Sequence, residues 1–251
     1  MSVEAHLRAR RAAGRKLLMP YLTAGVTADW LDHVRAFAAA GADAIEVGLP
    51  FSDPTLDGPT IQEANDAALA RGTTAQGILD ELAVADVGVP LVASTYCNLA
   101  VRLGAEALRR AGIGALIVPD LPLDEADEAG AKGVELVLLA SPATPEERLT
   151  AIARRSRGFV YAVSVMGTTG ERDRLAGTAT ALVERLKRAT DRPVLVGFGL
   201  STPEHAVAAT RVADGVIVGA AIVRQVLDGA TPHEVGAFVA KLREGLDREE
   251  A

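Results

Sequence analysis

The chain has one cysteine, Cys97, in 251 residues. A lone thiol excludes an internal disulfide and any cysteine-cluster metal site. No apolar run approaches the roughly 18 residues needed to span a bilayer. Positive charge is not in excess: 26 Lys and Arg against 33 Asp and Glu leave a net charge of −7. A nucleic-acid partner therefore has no electrostatic support. No Pro/Ser-rich linker divides the sequence, so residues 1–251 read as one domain. The opening MSVEAHLRARRAAGRK is polar and basic with no apolar core behind it. No secretory signal is expected, and the cytoplasm is the expected compartment. The four histidines, His6, His33, His205 and His233, all fall in helical patterns. Neither a Ser-His-Asp arrangement nor a histidine metal site is expected.

What is present is a globular mixture, 49% hydrophobic and 24% charged, long enough to bury a full core. Short apolar runs alternate with helical stripes. Strands are expected at Leu17–Leu22, Ala44–Val47, Pro90–Ser94, Ala115–Val118, Val134–Leu139, Gly158–Val163, Pro193–Gly197 and Gly215–Val218. Trp30–Ala40 carries apolar residues at Trp30, Leu31, Val34, Phe37 and Ala38, a helical stripe. Pro145–Ser156 follows Thr144, and Pro203–Val212 follows Thr202, each a hydroxyl N-cap before a proline. Val3–Ala13 reads as an extra helix ahead of the first strand, and Pro232–Leu246 as a closing one. The stretches AAGADAIEVG, RAGIGALIVP and VADGVIVG each pass from a helix end through glycine into a buried strand. Glycine there is read as the left-handed cap that turns the chain back. Eight strand–helix units in this length predict a (β/α)8 barrel, with a doubly wound open sheet as the alternative.

The second strand segment reads Ala44-Ile45-Glu46-Val47-Gly48. Alternation sends Ile45 and Val47 to the helix layer and Glu46 to the barrel interior. That end of a barrel strand is where barrel enzymes keep their chemistry. A carboxyl in an apolar interior has a raised pKa, which suits a general acid or base. The loop that follows, Leu49–Gln62, is stiffened by prolines and carries Asp53 and Asp57 at the mouth. Either aspartate could equally be a turn former or helix cap. A divalent metal on Glu46, Asp53 and Asp57 is disfavoured without histidine.

Three glycine-rich places follow late strands: Gly167–Gly170, Gly197–Gly199 and Gly219. Ala220-Ala221-Ile222-Val223 after Gly219 reads as a helix start, a natural seat for phosphate. Tyr161 alternates inward with Phe159 and Val163; Tyr21 and Phe198 are core residues or walls for an aromatic ligand. Asp120 in VPDLP reads as structural or pocket-supporting, and Cys97 as packing rather than a nucleophile. Arg8-Ala9-Arg10-Arg11 and Asp247–Glu250 read as solvated faces.

The stretch GADAIEVGLPFSDPTLDGPTIQ resembles the signature of the tryptophan synthase α chain family. PYLTAG, TYCN, VPDLP, SPATP, YAVSVMGTTG and GFGLS resemble the same family, in its order along nearly the whole chain. The resemblance implies a (β/α)8 barrel that cleaves indole-3-glycerol phosphate to indole and glyceraldehyde 3-phosphate. It implies Glu46 and Asp57 as the catalytic pair. Substrate contacts would fall at Tyr21, Tyr161, Thr169 and Phe198, and phosphate contacts at Gly170, Gly199, Gly219 and Ala220. Loop six, Met166–Arg174, would be a lid. No metal or organic cofactor is implied for this half-reaction. The implied partner is a β chain carrying pyridoxal phosphate in an α2β2 complex, met through Pro50, Asp53, Pro54 and Asn98. The chain departs from the family pattern at Val26, Leu56 and Leu99, in loop six at Met166 and Thr168, and at Ala220, where serine is usual. Two alternatives stand beside this reading: a stand-alone lyase releasing free indole, and a non-catalytic barrel that activates a β-like partner.

Overall fold

The structure is a computed structural model that describes residues 2–126, 133–163, 172–197, 199 and 202–248, with backbone only over 172–176. Eight parallel strands close into a barrel in chain order: β1 (Leu17–Thr23), β2 (Ile45–Gly48), β3 (Leu91–Ser94), β4 (Ile113–Ile117), β5 (Glu135–Ala140), β6 (Val160–Val163), β7 (Val194–Gly197) and β8 (Gly215–Val218). Each expected strand is present, with ends displaced by no more than two residues. The closed order removes the open-sheet alternative. Ten α-helices are described: α1 (Val3–Ala12), α2 (Trp30–Ala39), α3 (Pro59–Ala70), α4 (Ala75–Ala83), α5 (Cys97–Arg110), α6 (Glu146–Arg155), α7 (Arg172–Ala189), α8 (Pro203–Thr210), α9 (Ala220–Leu227) and α10 (Pro232–Arg248).

Two apolar layers follow from strand alternation. Ile45, Val47, Ala93, Leu116 and Val196 point outward and pack with Val34, Phe37, Leu79 and Leu242 of the helices. Met19, Val92, Ile117, Val137, Phe159, Tyr161, Leu195 and Ile217 fill the barrel interior. Val3 and Leu7 of α1 join that inner cluster, so the extra helix plugs the N-terminal end.

Glycine does two different jobs at the strand entries. Gly41 and Gly112 have φ of 94° and 75° after α2 and α5, the expected left-handed caps. Gly215 does not: it is the first residue of β8, and a Cβ there would lie 2.4 Å from the Leu17 backbone oxygen. Its smallness permits close approach of β8 to β1 rather than a helix stop. Thr202 caps α8 as expected, accepting from the His205 N–H at 3.3 Å. Thr144 does not cap α6; its hydroxyl accepts the Ser141 N–H at 3.0 Å, closing a turn before the helix.

The basic run of α1 is also not a solvated face. Arg10 and Arg15 bond Asp43 at 3.0 and 2.7 Å, and Arg11 reaches Asp214 at 3.3 Å. Arg8 forks onto Asp191 with two bonds of 3.0 Å. Asp43 is fully buried and also holds Arg243 and the Leu18 N–H. Asp247 pairs with Arg243 at 2.6 Å, whereas Glu249 and Glu250 lie outside the described residues. These ion pairs fasten α1 and α10 to the N-terminal end, leaving the opposite end for the site.

Candidate active site

Glu46 sits on β2 with its side chain inside the barrel, 5% exposed, as alternation predicts. Burial pushes its pKa up to about 7; the Asp57 charge adds to the rise, and a hydrogen bond from Ser94 opposes it. Asp57 ends the proline-rich loop between β2 and α3. Burial raises its carboxyl too, against a lowering hydrogen bond from Tyr96. That bond runs from the Tyr96 hydroxyl to Asp57 Oδ2 at 2.9 Å. The Asp57 N–H donates to the Pro54 carbonyl at 3.0 Å, and its carbonyl accepts from Gln62 Nε2 at 2.9 Å. Asp57 is therefore held on both sides of its Cα, more firmly than a generic turn former.

Glu46 and Asp57 line two adjoining cavities together with Tyr21 and Tyr161. The larger, about 480 Å³, has walls from Leu49, Phe51, Tyr96, Ile117, Pro119 and Leu139. The smaller, about 160 Å³, is walled by Gly58–Ile61, Gly199, Ile217, Gly219 and Ala220. The carboxylate pair thus stands between an apolar, aromatic chamber and a glycine-lined one. Gly219 is the N-cap of α9, and the Ala220 and Ala221 amides of its first turn precede the first intrahelical donors. The positive end of the helix dipole faces the smaller chamber. Glycine at 199, with φ of 75°, brings backbone close to it.

Tyr21 and Tyr161 are buried beside the pair, and burial raises both phenols well above their ordinary values, with Glu46 adding to it. Neither ionises at working pH, so both act as neutral walls. Asp120 accepts the Cys97 N–H at 2.8 Å and so caps α5, the supporting role expected of it. Among the described residues no group of three or more His, Cys, Asp and Glu is placed to hold a metal ion. Thr169, Gly170 and Phe198 lie outside the described residues, as does loop six up to residue 171. The last part of that expected lid differs: Arg172, Asp173 and Arg174 already belong to α7. Asp53 and Asn98 are exposed, whereas Pro50 and Pro54 are buried within the chain itself.

A model of the family described as tryptophan synthase alpha chain matches residues 7–247. The chain belongs to that family. The tryptophan synthase alpha chain of Chloroflexus aurantiacus is 42% identical over 250 residues, covering 94% of each protein. That of Gloeobacter violaceus is 44% identical over 248 residues, covering 92% of this chain and 87% of the relative. Among solved structures, tryptophan synthase subunit alpha from Legionella pneumophila superposes with a TM-score of 0.88 at 30% identity, covering 99% of both chains. Ligand-free tryptophan synthase from M. tuberculosis gives 0.86 at 34% identity, covering 98% and 99%.

Within this family frame, three departures have visible places. Val26 is buried in the outer core layer and Leu99 packs against it, so both are absorbed by packing. Leu56 is 55% exposed and lines the larger cavity, and its N–H donates to the Tyr96 hydroxyl at 2.9 Å. Sequence reasoning missed two residues. Tyr96 bridges Leu56 and Asp57. Asn65 is buried on α3 and accepts the Phe51 N–H at 2.8 Å, fixing the start of the same loop. A polar residue on the inner face of an otherwise apolar stripe is the one signal that marks Asn65.

Proposed function

We propose that Glu46 and Asp57 carry the reaction of this family in this chain: cleavage of indole-3-glycerol phosphate to indole and glyceraldehyde 3-phosphate. The observation that carries the reading is the shared wall of the two chambers. The substrate is an apolar bicyclic ring joined to a phosphate by a short polyol. The carboxylates stand where the chamber suited to the ring meets the chamber suited to the phosphate.

The chemistry follows from the groups. Breaking the bond from indole C3 to the glycerol carbon needs a proton delivered to C3 and one removed from the adjacent hydroxyl. Glu46, with a pKa near 7, holds either state at neutral pH and serves as acid and base in turn. Asp57 accepts the indole N–H and stabilises the positive charge that develops on the ring once C3 is protonated. Tyr21, Tyr161 and Phe198 wall the ring, and Thr169 contacts the substrate from loop six. The phosphate is held by backbone amides at Gly170, Gly199, Gly219 and Ala220 and by the α9 dipole. Loop six excludes water. The half-reaction uses no metal or organic cofactor.

The whole chain, 1–251, works as one barrel domain in the cytoplasm. Its partner is a tryptophan synthase β chain, which carries pyridoxal phosphate and joins the indole to serine in an α2β2 complex. Asp53 and Asn98 present to that partner, backed by the buried Pro50 and Pro54. The test is indole release from indole-3-glycerol phosphate by the purified chain, alone and with the β chain from the same source. Slow release alone and strong stimulation by β are expected. Fast release without β identifies a stand-alone lyase, and no release in either case contradicts the proposal.

A further inference from the structure

We propose that Tyr96 is the positioning residue that ties the partner-facing side of the barrel to Asp57. The inference rests on the function proposed above. Tyr96 is the N-cap of α5 and stands two residues before Asn98. Its ring stacks on Phe51, with centroids 4.7 Å apart and planes 16° apart. Phe51 lies between Pro50 and Asp53. The two segments proposed to face the β chain therefore meet on this pair of rings.

The far ends of both segments are pinned. Phe51 donates its N–H to Asn65 at 2.8 Å, and Asn65 Nδ2 donates to the Ile61 carbonyl at 2.7 Å, tying the loop to α3. Cys97 donates its N–H to Asp120 at 2.8 Å, tying the start of α5 to the turn after β4. Between these anchors the Tyr96 hydroxyl accepts the Leu56 N–H and donates to Asp57 Oδ2, both at 2.9 Å. A hydroxyl has one proton to give, and here it is committed to the carboxylate. The ring is rigid and 6% exposed, so a displacement at its stacked face is passed to its hydroxyl end.

A partner seated on Asp53 and Asn98 restricts both segments at once. The population in which Asp57 is aligned for the indole N–H then rises. The hydrogen bond also favours the ionised form of Asp57 against the effect of its burial. Among the described residues, the other titratable groups facing Asp57 are Glu46 on β2, Tyr21 on β1 and Tyr161 on β6. All three are buried and none is cationic, so among the described residues the Tyr96 hydroxyl is the group that favours the ionised form of Asp57.

The test is Tyr96→Phe, which keeps the stacked ring and removes the hydroxyl. Indole release is measured for parent and variant, alone and titrated with the β chain, from pH 5 to pH 9. The variant is expected to saturate at the same β concentration, because Asp53 and Asn98 are untouched. Turnover alone falls about tenfold, the equivalent of one hydrogen bond to a charged group. The stimulation factor at saturating β falls severalfold. The acid limb of kcat/KM moves to higher pH, which loss of a fold-supporting contact alone does not produce. Phe51→Leu is the second variant: it keeps the hydroxyl and loosens the stack, so stimulation falls while the acid limb stays. An unchanged stimulation factor, or an acid limb that stays in Tyr96→Phe, overturns the proposal. So does a parent chain that releases indole with no response to β. A parent chain that releases no indole under any condition contradicts the proposed function instead.

Discussion

Tyr21 and Glu46 stand opposite each other as Cα partners across β1 and β2, and both side chains are buried in the barrel. The parallel register fixes this pairing, so the carboxyl has a phenol beside it and, among the described residues, no cation that lowers its pKa. Burial lifts Glu46 to about 7, and the Glu46 charge in turn adds to the rise of the Tyr21 phenol. A carboxyl near 7 exchanges protons at neutral pH, and that property is the centre of the proposed mechanism.

The same shift predicts a pH-dependent stability. Glu46 titrates near 4.5 unfolded and near 7 folded. Between these values the folded chain holds the extra proton, so stability falls as pH rises through the window. Glu46→Gln removes the penalty. The variant is expected to match the parent near pH 4 and to exceed it by about 3 kcal/mol at pH 8. Urea unfolding at both pH values checks this, and a gap that does not widen with pH contradicts it.

Gly48 has a steric reason to be glycine. A Cβ there would lie 2.2 Å from the Tyr21 hydroxyl oxygen. Gly48→Ala is expected to destabilise by about 1–3 kcal/mol and to displace Tyr21 from the cavity wall. Tyr21→Leu in the same chain should recover most of the lost stability, a coupling that a double-mutant cycle measures. Additive losses would show that the two positions do not collide.

The barrel and the strand that carries Glu46 were legible because their signals are local. Strand alternation, proline stiffening and glycine before a helix are read within a few residues, and they set Glu46, Asp57 and Gly219 where the fold has them. Tyr96 was not legible as a bridge, because its two hydrogen bonds reach back about 40 residues. Arg10 and Arg11 read as solvated because the sequence shows charge but not where the acceptor stands. Asp43 and Asp214 meet them only after the barrel closes. Gly215 fits a cap pattern, yet its role depends on β1, which is nearly two hundred residues away in sequence.

At the N-terminal end, Asp43 holds Arg10, Arg15, Arg243 and the Leu18 N–H. Asp43→Ala leaves the buried Arg243 without this carboxylate, and a loss of about 3–5 kcal/mol is expected. The site is at the other end of the strands, so kcat of the folded variant should stay close to that of the parent. Thermal unfolding and turnover measured on one preparation separate the two effects.

At the chamber proposed for the phosphate, Ala220 stands where the resemblance to the family implies serine. Ala220→Ser adds a hydroxyl to the first turn of α9. One added neutral hydrogen bond, about 1 kcal/mol, predicts a KM about fivefold lower with kcat little changed. An unchanged KM would place the phosphate away from this helix end.

The proposed role of Glu46 is to move the proton at the reacting carbon. Glu46→Gln keeps the shape of the site and removes the titrating group. With the β chain present, indole release is predicted to fall about 10³-fold, while binding of indole-3-glycerol phosphate measured by calorimetry changes little. Release within about tenfold of the parent would contradict the assignment and move the proton transfer to another residue.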